Sequence, residues 1–430
     1  MSIKTHKIVN EEESEVKYDT RRDYFEEVKP KERYITARLK EWILDYATDT
    51  SYRKSEERVN KMRQQGKTSS PGYGMKATTI RNIVEREGKA LGEHIEKQTE
   101  EALEANGFTI EGRIETKTPV KTTEQHTIKE EEVNAAAAEI GLRGEVKVTD
   151  YEDPNRTVNI SADDVCVKRQ ATERPNSAEK GKRKQVYNTV IQVNQRVKST
   201  NPNAEENGGT TTGNYIINGD SQRKTLVMLM GFLLSNGLLW INNLVFFIDG
   251  EIALREFIEG MFGFLPIKIK IILDWYHLDK KLKERLSMSM AGYKLRNAFL
   301  EKLRPLLWNG NVKAAIELIK SLPQNQIKSY EQIDKLIEYL ERNQPYIPCY
   351  ALRAKLGLCN SSNRGEKAND LVVSSRQKHN GTSWSYEGSR SLANICAADR
   401  NGELSQWANK RSVNFNLKFF LNNDDINVAA

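Results

Sequence analysis

The run Asn243-Leu244-Val245-Phe246-Phe247-Ile248-Asp249-Gly250 sets the narrowest limit on what this chain can fold into. Its five successive apolar side chains alternate between the two faces of a strand, so neither face can be left to water. Such a strand belongs inside a sheet that is covered on both sides. The flanking sequence supplies the rest of that sheet. TVNISADDVCVKRQ, residues 157–170, alternates Val158, Ile160 and Ala162 before it reaches Asp163-Asp164. Residues 184–195 and 213–220 are two further β-rich runs, separated by the turn-forming STNPNAEENGGTTTG. A long apolar helix is expected over 221–238, a second helix over EIALREFIEGMFG, and a last strand over 266–277. The order β-β-β-α-β-α-β predicts an α/β fold, a mixed sheet with helices on it.

On either side of this unit the periodicity is helical. Residues 1–33 are charged and lack apolar periodicity, which predicts a loosely ordered arm. From 34 to 110 the spacing of Ile35, Leu39, Trp42, Ile43 and Tyr46 places one apolar stripe on a helix. A break comes at 66–74, then one helix from about Lys76 and another over KALGEHIEKQTEEALEANG. Residues 51–90 hold ten Lys or Arg against four Glu. This fits a helix-turn-helix region whose recognition helix presents Lys76, Thr78, Thr79, Arg81 and Asn82 to DNA. A solvated helical bundle with a basic face fits the same residues. Residues 111–154 read as a linker with one short Ala-rich helix. Residues 278–360 read as an all-helical insertion, and 361–430 as the end of the core, with helices over 363–377 and 384–398.

The net charge of +7 is mild, compatible with a polyanionic partner without requiring one. The four cysteines form no Cys-x-x-Cys pair, which disfavours a zinc finger or a disulfide scaffold. The first residues are too polar for a secretory leader, and TLVMLMGFLLSNGLLW, residues 225–240, is too short and interrupted for a membrane span. A cytoplasmic chain is therefore expected.

Three acids fall at positions that carry chemistry. Asp163 lies inside the first strand with Asp164 beside it, Asp249 ends the fourth, and Glu366 opens the helix of 363–377. Each has an ordinary alternative: Asp249-Gly250 as a strand-ending turn, and Glu366 as the third helical residue of a capping box behind Ser362 or Asn363. Together they occupy the first-strand, fourth-strand and late-helix positions that converge at one sheet end in an RNase H-like arrangement. Three converging carboxylates can hold two Mg²⁺ ions for in-line phosphoryl transfer, because hard cations take oxygen ligands. Side chains alternate along a strand, so only one of Asp163 and Asp164 can face that site.

From Val158 to Trp407 the chain resembles the catalytic region of insertion-sequence DDE transposases of the Mutator-like superfamily. The resemblance rests on NISADDV, on FFIDG followed by Asp274-Trp275-Tyr276-His277, and on Ser362-Asn363-Arg364-Gly365-Glu366-Lys367-Ala368-Asn369. The last is similar to the family's Thr-Asn-x-x-Glu-x-x-Asn, and Asp274 stands where many relatives carry the Cys of Cys-x-x-His. The acid spacings of 86 and 117 residues and the helical insertion fit the same plan. The resemblance implies an RNase H-like core in which Asp163, Asp249 and Glu366 bind two Mg²⁺ or Mn²⁺ ions, with Asp164, His277, Asn363 and Asn369 in support. It implies a transposase that acts on double-stranded DNA at element ends and target, and a homo-oligomer. A nuclease without strand transfer and a non-catalytic DNA-binding protein remain as alternatives. Arg376, ten residues past Glu366, is either a phosphate clamp or an exposed basic helix end. Trp308 either stacks on a DNA base or packs in the helical bundle, and His277 either bonds a carboxylate or phosphate or is simply packed.

Overall fold

A computed structural model describes residues 6–9, 15–18, 35–65, 74–114, 126–142, 146–170, 185–198, 210–240, 242–378 and 382–420. The strands of the central sheet are β1 (Thr157–Lys168), β2 (Gln185–Lys198), β3 (Thr210–Gly219), β4 (Asn243–Ile248), β5 (Ile269–Leu273) and β6 (Lys418–Phe420). They lie in the order β5-β4-β1-β2-β3-β6. β1, β4 and β5 run parallel, while β2, β3 and β6 add on antiparallel. Within 1–33, His6–Val9 and Glu15–Tyr18 pair as a separate two-stranded sheet, and the rest of that expected arm lies outside the described residues.

The helices are α1 (Ala37–Asp49), α2 (Tyr52–Gln65), α3 (Ala77–Ala105), α4 (Glu130–Glu139), α5 (Gln222–Ser235) and α6 (Ile252–Phe262). The insertion then holds α7 (Trp275–Ser289), α8 (Tyr293–Trp308), α9 (Val312–Lys320), α10 (Tyr330–Asn343) and α11 (Tyr350–Lys355). After it come α12 (Asn363–Asn369), a π-helical turn (Asp370–Ser374), α13 (Ser375–Gln377), α14 (Tyr386–Arg400) and α15 (Leu404–Lys410). No helix among the described residues is long and apolar enough to cross a membrane.

The strict alternation of the strands decides which layer lies on which face. Val158, Ile160 and Ala162 of β1, with Leu244, Phe246 and Ile248 of β4, pack beneath α5 and α6. The opposite-parity residues Val165, Val167, Val186 and Val190 meet Val372, Val373, Leu392, Ile395 and Trp407. Val245 and Phe247, on that same second face, instead bury the insertion through Leu278, Leu282, Leu286 and Leu336. The continuous apolar run of β4 is thus sealed by different helices on its two sides.

Two expectations change. The last strand ends at Leu273, and Asp274 caps a helix that starts at Trp275, so His277 lies in a first helical turn rather than in a strand. The two helices expected around Gly88 are one 29-residue helix, α3. Its glycines mark close approach instead of a break: a Cβ at Gly88 would lie 2.1 Å from the Ser391 carbonyl oxygen, and one at Gly92 would lie 2.6 Å from Asn394. Apolar side chains of α1, α2 and α3 share the core cluster of β1, β2 and α14. The stretch of 126–154 is also packed: α4 contacts Leu352 and Leu358, and buried Glu152 pairs with buried Arg353 at 2.7 Å.

Candidate active site

β1 and β4 are parallel and pair Ser161 with Phe247. Asp163 and Asp249 each lie two residues beyond that last parallel pair, at the same end of the sheet. β4 ends there because Gly250 adopts φ +89°, and the Asp249 carboxylate accepts the Glu251 N–H at 2.8 Å. The turn expected from Asp-Gly and a cleft-facing carboxylate are therefore both present. The Tyr339 hydroxyl, from α10, donates to the Asp249 carbonyl at 3.3 Å.

Helix α12 lies across β1 close to this corner. Its approach depends on Gly365, where a Cβ would stand 2.5 Å from that of Ser161. Ser362 is the N-cap but makes no side-chain cap bond. Glu366 is therefore the fourth helical residue and closes no capping box. It turns toward the imidazole of His277, with Oε1 3.5 Å from Nε2. One helical turn later, the Asn369 amide donates to Asp163 Oδ2 at 2.8 Å. Among the described residues, the buried Asn369 Oδ1 has no hydrogen-bond partner.

Asp163, Asp249, His277, Glu366 and Asn369, together with Ser161 and Gly365, line one cleft. Asp163 is pushed up to about 6, first by burial and next by the facing charge of Asp249. Burial also raises Glu366, with Asp274 adding to the rise while His277 and Lys280 oppose it. Repelling, half-desolvated carboxylates favour a proton or a cation between them. Among the described residues, no three His, Cys, Asp or Glu side chains are grouped closely enough to enclose a single ion. Carboxylate and amide oxygens are the donor type that hard cations take.

The structure separates the remaining candidates. Asp164 points to the opposite face, accepting from Thr189 Oγ1 at 2.6 Å and Gln222 Nε2 at 3.0 Å. Asn363 is exposed, accepts from the Ser361 hydroxyl at 2.9 Å, and stays outside the cleft lining. Lys76, Thr78, Arg81 and Asn82 are exposed and Thr79 is half-buried, all at the start of α3.

One candidate is corrected. Arg376 is buried, donates to the Ala47 carbonyl at 2.8 Å, and lies against Tyr52 and Trp384, so it is neither a phosphate clamp nor an exposed end. The π-turn before it adds a residue to the helix and rotates the succeeding residues by about 100°, a shift that α-helical counting does not include. Trp308 packs against Trp275, 4.7 Å between centroids, and Tyr350, 5.7 Å. Its ring is partly buried, packed against the core of the insertion. Sequence reasoning missed Ser161, Gly365 and Tyr339. Only Gly365 left a signal, since glycine inside a helix start is unfavourable without a packing reason.

The Drosophila P element transposase strand transfer complex is similar to this chain over 96% of its length and 89% of that chain, at 10% identity and a TM-score of 0.23. A score that low carries no argument. No curated protein matches. The sequence profile of the uncharacterised protein family UPF0236 matches residues 89–412, three quarters of the sequence and the whole of the cleft, and the chain belongs to that family.

Proposed function

We propose that this chain is a DDE-type DNA transposase on an RNase H-like core. One observation carries the reading: three acids, 86 and 117 residues apart in sequence, line a single cleft at one end of the sheet. The strand order, with three antiparallel strands followed by two parallel ones on the other side of β1, supports an RNase H-like plan. In this reading Asp163, Asp249 and Glu366 would hold two Mg²⁺ or Mn²⁺ ions. When bound, the ions supply an activated hydroxyl oxygen and stabilise the leaving oxygen of an in-line phosphoryl transfer. The chain's own groups set the geometry. Asn369 fixes the Asp163 carboxylate, His277 orients Glu366, and the 3.3 Å bond from Tyr339 braces the Asp249 backbone.

Double-stranded DNA is the proposed substrate, at the element's ends and at the target, and a homo-oligomer would bring two ends together. The exposed Lys76, Thr78, Arg81 and Asn82 at the start of α3 are the proposed contacts to the terminal repeats. The proposed location is cytoplasmic, on the nucleoid when DNA is bound.

The test is a cleavage and joining assay on a labelled duplex carrying the element's own terminal repeat, with Mg²⁺ or Mn²⁺. The wild type is expected to nick the end and to join a pre-cut 3′-hydroxyl to a second duplex. Asp249→Asn and Glu366→Gln are expected to lower both rates by at least about 100-fold, the scale of losing a transition-state charge stabiliser. Cutting without joining would leave a nuclease. Full cutting by Asp249→Asn would defeat the assignment.

A further inference from the structure

Asp274 does not line the cleft, yet it is wholly buried where the helical insertion leaves the sheet. Its backbone N–H donates to the Ile248 carbonyl at 2.9 Å, one residue before Asp249. Its Oδ1 accepts the N–H groups of Tyr276 at 2.6 Å and His277 at 3.2 Å, which caps α7. The same oxygen faces the Ser361 hydroxyl at 3.4 Å, while Oδ2 accepts the N–H of Ser362. Ser362 is the N-cap of α12, the helix that carries Glu366. Alongside, the Trp275 N–H donates to the Asn360 carbonyl at 3.1 Å. One residue therefore joins the entrance and the exit of the insertion: its carboxylate touches the helices that carry His277 and Glu366, and its backbone N–H bonds the strand that leads to Asp249.

We infer that Asp274 is the positioning residue that sets Asp249, His277 and Glu366 relative to one another, and that it ligates nothing itself. The chemistry of the position explains the residue type. Two acceptor oxygens are needed on one short side chain, one for the α7 N-terminus and one for the α12 N-terminus. A carboxylate has both, and the helix ends it faces favour its charge. Serine has one acceptor and a shorter reach. Asparagine keeps the shape but turns an amide N–H₂ toward one set of donors. The bracing stands on geometry, and only what the braced groups then catalyse rests on the proposed function.

Asp274→Ser separates the two jobs, because serine remains a good N-cap for α7 but does not extend to Ser362. In the full chain, the Ser362 amide is expected to lose hydrogen-exchange protection while the α7 amides keep theirs. In the cleavage assay kcat is expected to fall on the order of 100-fold at unchanged KM for DNA, the cost of an ångström-scale misplacement of catalytic groups. Asp274→Asn should recover part of both, and it supplies the same two readouts if the serine variant does not melt cooperatively. Unaltered protection at Ser362 overturns the inference. So does unchanged kcat in a variant that has lost that protection, or a loss confined to KM. A wild type that cuts no DNA defeats the functional reading alone, and hydrogen exchange then decides the bracing.

Discussion

Asp163 loses water on folding and gains the facing charge of Asp249, whereas Asp164, one residue on, accepts from the neutral donors Thr189 and Gln222. A carboxyl whose folded pKa of about 6 exceeds its ordinary 3.8 binds its proton more tightly in the folded state. Folding is therefore favoured fully below the unfolded value, and that advantage is lost as pH rises through about 6. Asp163→Asn removes the repulsion, so without divalent ions it should melt at a higher temperature than the wild type at pH 8. The gap should close once the pH falls below about 4, where the wild-type carboxyl is protonated in both states. Melting curves across that range check the claim, and equal stability at pH 8 would contradict it.

At the scale of elements, the site depends on how closely α12 lies on β1. Gly365→Ala puts a methyl group 2.5 Å from the Ser161 Cβ, inside any tolerable contact. The helix must lift, and overpacking of this kind costs about 1–3 kcal/mol. Chemical denaturation should register that loss. Because Glu366 and Asn369 ride on the same helix, cleavage should fall more than the stability change alone accounts for. A variant with wild-type stability and rate would show that the helix has slack here. The π-turn after α12 has the converse effect: it carries Arg376 into the core against Tyr52 and Trp384.

At the scale of the whole molecule, the N-terminal helices are part of the body that holds the cleft. α3 meets α14 with a glycine against the Ser391 carbonyl, and Thr99 of α3 fits against Gly231 of α5. Ile43, Leu44, Ile80, Val84 and Leu91 are buried in the cluster that includes Val165, Val190 and Leu392. A chain lacking residues 1–110 is therefore expected to give no cooperative thermal transition by circular dichroism, since removing these helices exposes that cluster to water. A separable DNA-binding module would instead leave a folded remainder that melts like the full chain.

Much of this architecture was legible in the order of residues. The alternation of Val158, Ile160 and Ala162, and the unbroken Leu244–Ile248, are period-two signals that a strand cannot hide, and they imply a sheet covered on both faces. The spacing of Asp163, Asp249 and Glu366 then put three acids at positions that such a topology brings to one end. What pattern alone left open was decided by contacts between distant segments. These include which of two adjacent aspartates faces the cleft, why Gly88 and Gly365 are glycines, where Arg376 is buried, what Trp308 packs against, and how Asp274 spans the insertion. The physical reason is that periodicity records only which side of an element avoids water. The identity of the group on the far side is set by packing across tens to hundreds of residues of chain, and no local pattern encodes it.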